Sequence, residues 1–109
     1  MKRRTVTDVI RAASTITGFR THEIAAAKRT THDIYDVRLA VSVVAHVYLG
    51  KSFKAIGRSL HKHHTSIMAH MVSHHRDRAE IKRLVQQIVE HLERPSLIEL
   101  LLEQQAPHA

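Results

Sequence analysis

The chain has no cysteine and no tryptophan, and only two prolines, three glycines, two phenylalanines and two tyrosines among its 109 residues. Without cysteine there is no disulfide framework, no CxxC zinc site and no thiol nucleophile, and nothing points to an oxidising compartment. With so few aromatics the core must come from Val, Ile, Leu, Ala and Met, the palette of a small all-α bundle. Sparse Gly and Pro punctuation favours helices as well. Long apolar runs are also missing: the most apolar stretch, Leu39 to Leu49, is interrupted by Ser42 and His46 and is far shorter than a bilayer span needs. Met1-Lys2-Arg3-Arg4 is basic, but Thr5-Val6-Thr7-Asp8 follows where a signal peptide would carry its apolar segment, so a cytoplasmic protein with no membrane partner is expected. The ten carboxylates are dispersed, no catalytic nucleophile–base pair is assigned, and no GxxxxGK[ST] loop occurs. The reading is of a non-enzyme, with no catalytic residue and no cofactor.

The charge that is present is unevenly placed. Residues 1–78 hold fourteen Lys/Arg against five Asp/Glu, whereas residues 79–109 hold three against five. The basic portion suits a polyanion, with nucleic acid ahead of a membrane surface because no strongly apolar face accompanies the cations. A merely soluble basic surface is the plain alternative.

The stretch Ser52 to His75 organises the rest. Phe53, Ile56 and Leu60 recur at helical spacing behind Ser52, an N-cap that follows the terminator Gly50. After a tight turn, Ile67, Met68, Met71 and Val72 form one apolar stripe, leaving His63, His64, Thr65, Ser66, Ala69, His70 and Ser73 on or beside the opposite face. Small hydroxyls and imidazoles suit close approach to base edges and phosphates, so this pair reads as a helix-turn-helix whose second helix, residues 64–75, enters the major groove of duplex DNA. Lys51, Ser52 and Lys54, at the start of the first helix, and Lys62 in the turn are placed to hold phosphates.

Around this unit the periodicity gives a first helix through Val6, Val9, Ile10, Ala13 and Ile16, capped by Thr5 or Thr7 and stopped by Gly18. A short helix over Thr21 to Ala27 takes Thr21 as its cap. The basic connector Lys28-Arg29-Thr30-Thr31 follows, and on sequence alone a single Lys-Arg pair reads first as an ordinary solvated loop. The longest helix runs from Asp33 to Leu49, with Ile34, Val37, Val41, Val44, Ala45 and Tyr48 as its apolar stripe. Ile81, Leu84, Val85, Ile88, Val89 and Leu92 mark another, ending near Arg94-Pro95, so residues 1–94 form the domain.

Residues 95–109 hold a last apolar segment. Leu97, Ile98, Leu100, Leu101 and Leu102 wrap more circumference than one core stripe needs, with Glu99 and Glu103 at i, i+4 on the remaining side. It either folds back on the first helix or docks on another chain. That chain would be a second copy, giving a homodimer on paired half-sites, or a component of the transcription machinery; Leu97, Ile98, Leu101 and Leu102 are the candidate contacts.

Six of the eleven histidines lie between His61 and His75, and His70 with His74 has a chelating spacing. No Cys and no HExxH motif accompanies it, so no metal site is assigned.

The run Ala55-Ile56-Gly57-Arg58-Ser59-Leu60, followed by His63-His64-Thr65-Ser66-Ile67-Met68-Ala69-His70, resembles the C-terminal DNA-binding domain of the bacterial replication initiator DnaA. The resemblance spans roughly Val6 to Leu92 and implies a small helical bundle with a DnaA/Trp-repressor-like helix-turn-helix. His64, Thr65 and Ser66 match that family's His-Thr-Thr, which reads bases and phosphates. His63 stands where the family has Asp, Ala69 where it has a second His, and the Gly-Gly-Arg turn is shortened to His61-Lys62. By the same resemblance the 28–31 loop reaches into the minor groove with Lys28 and Arg29, and Arg38 lies near the DNA backbone. A reader without an ATP-driven motor implies a stand-alone DNA-binding regulator, most naturally of transcription. A replication modulator competing for initiator sites and a nucleoid-associated structural protein are the alternatives. An RNA-binding module would need more exposed aromatics than four Phe/Tyr supply.

Overall fold

A reciprocal capping box opens the first helix. The Thr5 hydroxyl accepts the Asp8 N–H at 3.2 Å, and the Asp8 carboxylate accepts the Thr5 N–H at 2.8 Å, satisfying donors that a helix start leaves free. From there α1 runs Val6–Thr17 and stops at Gly18, whose N–H still bonds the Ser14 carbonyl at 2.9 Å while its φ of 83° turns the following chain out of the helix. The computed structural model describes residues 4–26, 32–72 and 77–93, all side chains included except those of His32, His70 and Val72, and no strand occurs among them. The chain is all-α, as its composition predicts. The expected docking residues Leu97, Ile98, Leu101 and Leu102 lie outside the described residues.

Helix α2, Thr21–Ala25, begins one residue earlier than its sequence suggests. Arg20 is the N-cap, and its N–H donates to the Glu23 carboxylate at 3.3 Å, so Thr21 is already the first helical residue. Glu23, three residues after the cap, supplies the partner that a Thr21 cap would have lacked.

Helix α3, His32–Val43, is the central element, packed on α6, α1, α2 and α5. Val37, Leu39, Ala40 and Val41 are buried, but so are Asp36, Arg38 and Ser42. With neighbours on most sides, the helix has no wide solvent face, and a single apolar stripe describes it poorly. Its buried polar groups are matched. The Ser42 hydroxyl donates to the Arg38 carbonyl at 2.9 Å, and Asp36 forms an ion pair with Arg78, just before α6.

One widened, π-helical turn, Val44–Tyr48, continues α3. Its Leu49 N–H reaches the Val44 carbonyl, five residues back, at 3.2 Å. The extra residue per turn shifts the phase of the helix: Val44 and Ala45 stay buried, while Tyr48, expected in the apolar stripe, is 58% exposed beside Val47 at 59%. Gly50, at φ 67°, then turns the chain towards α4.

Helix α6, Ala79–Glu93, closes the bundle against α3 and α1 with Ile81, Val85 and Ile88 buried. Each such side chain stabilises the fold by about 1.5–3 kcal/mol. Arg4 ties the other end, donating to the Leu92 carbonyl at 2.8 Å. No helix among the described residues is long and apolar enough to cross a membrane.

Candidate nucleic-acid interface

Helices α4, Phe53–Leu60, and α5, His64–Val72, pack chiefly on each other and are joined by a three-residue turn. The Ser52 hydroxyl accepts the Ala55 N–H at 3.1 Å and so caps α4, as its position before Phe53 predicts. Ile56 and Leu60 are buried, and Phe53 stacks on the His46 ring with centroids 4.2 Å apart. His46 Nδ1 lies 3.0 Å from the Lys51 carbonyl and donates to it, because a carbonyl can only accept. The histidine thereby anchors the short linker that carries Lys51 and Ser52 into α4.

Leaving α4, His61 adopts the left-handed conformation at φ 54°, and the Lys62 N–H donates to the Gly57 carbonyl at 2.8 Å. His63 caps α5. Its carbonyl accepts the Ser66 N–H at 3.0 Å and the Ile67 N–H at 3.3 Å, and its Nδ1 lies 3.3 Å from the Thr65 N–H and 2.7 Å from the Thr65 hydroxyl. An imidazole here performs the task that Ser, Thr, Asp or Asn usually perform. The neighbouring His64 ring lies 4.3 Å away, tilted by 34°.

Ile67 and Met71 point into the core at 2% and 4% exposure, whereas Met68, expected beside them, is 44% exposed. In a helix of nine residues the core contact is a narrow seam, and i, i+4 spacing from Ile67 to Met71 fills it. Met68 instead joins Thr65 and Ala69, all exposed at i, i+3 and i+4, on the outer face. That face therefore carries a flexible apolar side chain that a plain stripe count assigns inside. The positional signal is that Met68 falls three residues after Thr65.

The other predicted contacts divide by place. Lys54, His63, Thr65 and Ala69 are exposed; Lys51, Lys62, His64 and Ser66 are half-buried along the same two-helix unit; Ser52 is exposed and occupied as a cap. For His70 only the backbone, within α5, is described, and Lys28 and Arg29 lie outside the described residues. Arg58, not among the sequence candidates, is exposed four residues after Lys54 and extends its basic row. No Asp or Glu occurs in the sequence between Asp36 and Asp77, so nothing in α4 or α5 opposes an anion.

Arg38 does not fit a place near the DNA backbone. It is buried at 7% exposure; its Nε donates to the Ile24 carbonyl at 2.6 Å, and its guanidinium bonds the Ala26 carbonyl as well. Loss of solvation lowers its pKa from the ordinary value, yet a guanidinium remains charged at neutral pH. Its physical role is to satisfy the carbonyls at the end of α2.

No protein-family model, curated protein or solved structure matches this chain.

Proposed function

We propose that the protein binds double-stranded DNA with a preferred sequence and acts as a transcriptional regulator, with α5 in the major groove. The observation that carries this reading is the exposed Thr65, Met68 and Ala69 face, flanked by His63, on a two-helix unit free of carboxylates. A hydroxyl, a thioether and a methyl group match the hydrogen-bonding and thymine-methyl features of the major groove. Lys54, Arg58 and Lys62 supply charge for phosphates, which positions the domain without selecting sequence. The likeness of His63 to His70 to the DnaA pattern supports the same orientation and adds Lys28 and Arg29 as minor-groove contacts. The apolar residues Leu97, Ile98, Leu101 and Leu102 are the proposed contact with a second copy or with the transcription machinery, and the nucleoid is the proposed site of action.

Anisotropy titration of the full chain against duplexes selected from a random pool tests the reading. Thr65→Ala should cost about 1–3 kcal/mol on a selected site and little on random duplex. Equal losses on both would remove base reading from α5. A modulator that occupies initiator sites is the second reading, favoured by the His64-Thr65-Ser66 match, and competition with an initiator for origin DNA separates it from promoter regulation.

A further inference from the structure

His63 and Thr65 form a hydrogen-bonded pair whose polarity is decided by one contact. The backbone N–H of Thr65 points at His63 Nδ1 from 3.3 Å. A backbone amide can only donate, so Nδ1 must carry a lone pair, and the ring proton of the neutral imidazole sits on Nε2. The Thr65 hydroxyl lies 2.7 Å from the same Nδ1. With Nδ1 an acceptor, the hydroxyl must be the donor in that contact too. A threonine has one hydroxyl proton, and here it is committed to His63, leaving only acceptor lone pairs on Oγ1.

Resting on the reading of α5 as the DNA-facing helix, we infer that Thr65 selects a base presenting an exocyclic amine, adenine N6 or cytosine N4, and makes no hydroxyl hydrogen bond to phosphate. A phosphate oxygen carries no proton at neutral pH and cannot donate to Oγ1, whereas both amines do. Thymine O4 and guanine O6 and N7 are acceptors and face the same lone pairs without a proton between them. Both His63 and Thr65 are exposed, so the bonded pair presents an acceptor at Thr65. The imidazole presents its Nε2–H as a donor, a match for guanine or thymine acceptors or for a phosphate. His63 is therefore a positioning residue: it caps α5 and fixes which hydrogen-bond partner Thr65 will take. His63→Asn keeps both tasks, since the Asn Oδ1 accepts the same amide and hydroxyl protons.

Two experiments test this, the first without DNA. Long-range proton–nitrogen correlation on the free protein at neutral pH should show His63 protonated at Nε2; protonation at Nδ1 overturns the inference whatever the protein binds. The second is a chemical double-mutant cycle on a selected duplex, combining Thr65→Val with analogues that lack one exocyclic amine, or with methylphosphonates at single backbone positions. Wild type should lose roughly tenfold in affinity when one particular amine is removed, and Thr65→Val should lose nothing further at that position. His63→Asn should retain the amine dependence. Coupling of Thr65 to a methylphosphonate, or to no position at all, overturns the inference while leaving sequence-specific binding in place. Failure to select any preferred duplex overturns the functional reading and this inference with it.

Discussion

Gly57 and Lys62 approach so closely that a Cβ on Gly57 would stand 2.4 Å from the Lys62 carbonyl oxygen. That obstacle is backbone, and the Lys62 N–H bonded to the Gly57 carbonyl at 2.8 Å holds it in place. The turn between α4 and α5 is as tight as it is because position 57 has no side chain.

Gly57→Ala should therefore push the turn open, shifting α5 relative to α4. We expect a loss of about 1–3 kcal/mol in thermal or denaturant unfolding, the usual range for overpacking. A stability equal to wild type would mean that the turn relaxes freely and does not fix α5.

Replacing Arg38 distinguishes a structural cation from a phosphate contact. Arg38→Met should leave the Ile24 and Ala26 carbonyls without their donor and destabilise the fold by about 1–3 kcal/mol. Among molecules that remain folded, the salt dependence of DNA binding should match wild type. A slope reduced by about one counterion would show that Arg38 reaches a phosphate.

The apolar periods of α1 and α6 are legible because each helix has one core side and one solvent side, so Val6, Val9 and Ile10, or Ile81, Val85 and Ile88, repeat at helical intervals. The centre is less legible for the same physical reason. In α3 neighbours on several sides bury Asp36, Arg38 and Ser42, and polar residues in sequence do not announce that partners elsewhere in the chain will satisfy them. The π-helical turn is invisible to a 3.6-residue count, which therefore puts Tyr48 inside. Met68 escapes the same count because a helix of little more than two turns offers too few residues to tell a seam from a stripe. In the candidate interface, the cap at Ser52 and the exposure of Thr65 and Ala69 follow from spacing alone. The pairing of His63 with Thr65 depends on ring orientation, which spacing does not encode.

Acid should weaken the start of α1. The Thr5 backbone N–H, bonded to the Asp8 carboxylate, holds its pKa below the ordinary 3.8; the Thr5 hydroxyl and the Arg4 and Arg11 charges add to this, and partial burial opposes it. A carboxyl depressed in the folded state stabilises fully above its unfolded pKa and loses that contribution as pH falls through the folded value. Wild type should exceed Asp8→Asn in melting temperature at neutral pH, and the gap should close as the pH drops below about 4. A gap unchanged by acid would show that the charge is not what the cap uses. Thr5→Ala, which removes the other half of the box, should cost about 1 kcal/mol.

Single substitutions Lys54→Ala, Arg58→Ala and Lys62→Ala should each reduce affinity for selected and random duplexes alike, and lower the slope of log affinity against log salt by about one for each phosphate left without its cation. A substitution that weakened only the selected duplex would move that residue from the phosphate set to the base-reading set.

The most direct test of α5 as a sequence-reading helix is the ratio of affinities for a duplex selected from a random pool and for random duplex, measured on the full chain at one near-physiological salt concentration. A base-reading helix predicts a ratio on the order of a thousand or more, falling steeply with Thr65→Val. A ratio near unity, with both duplexes bound equally and Thr65→Val without effect, would contradict it.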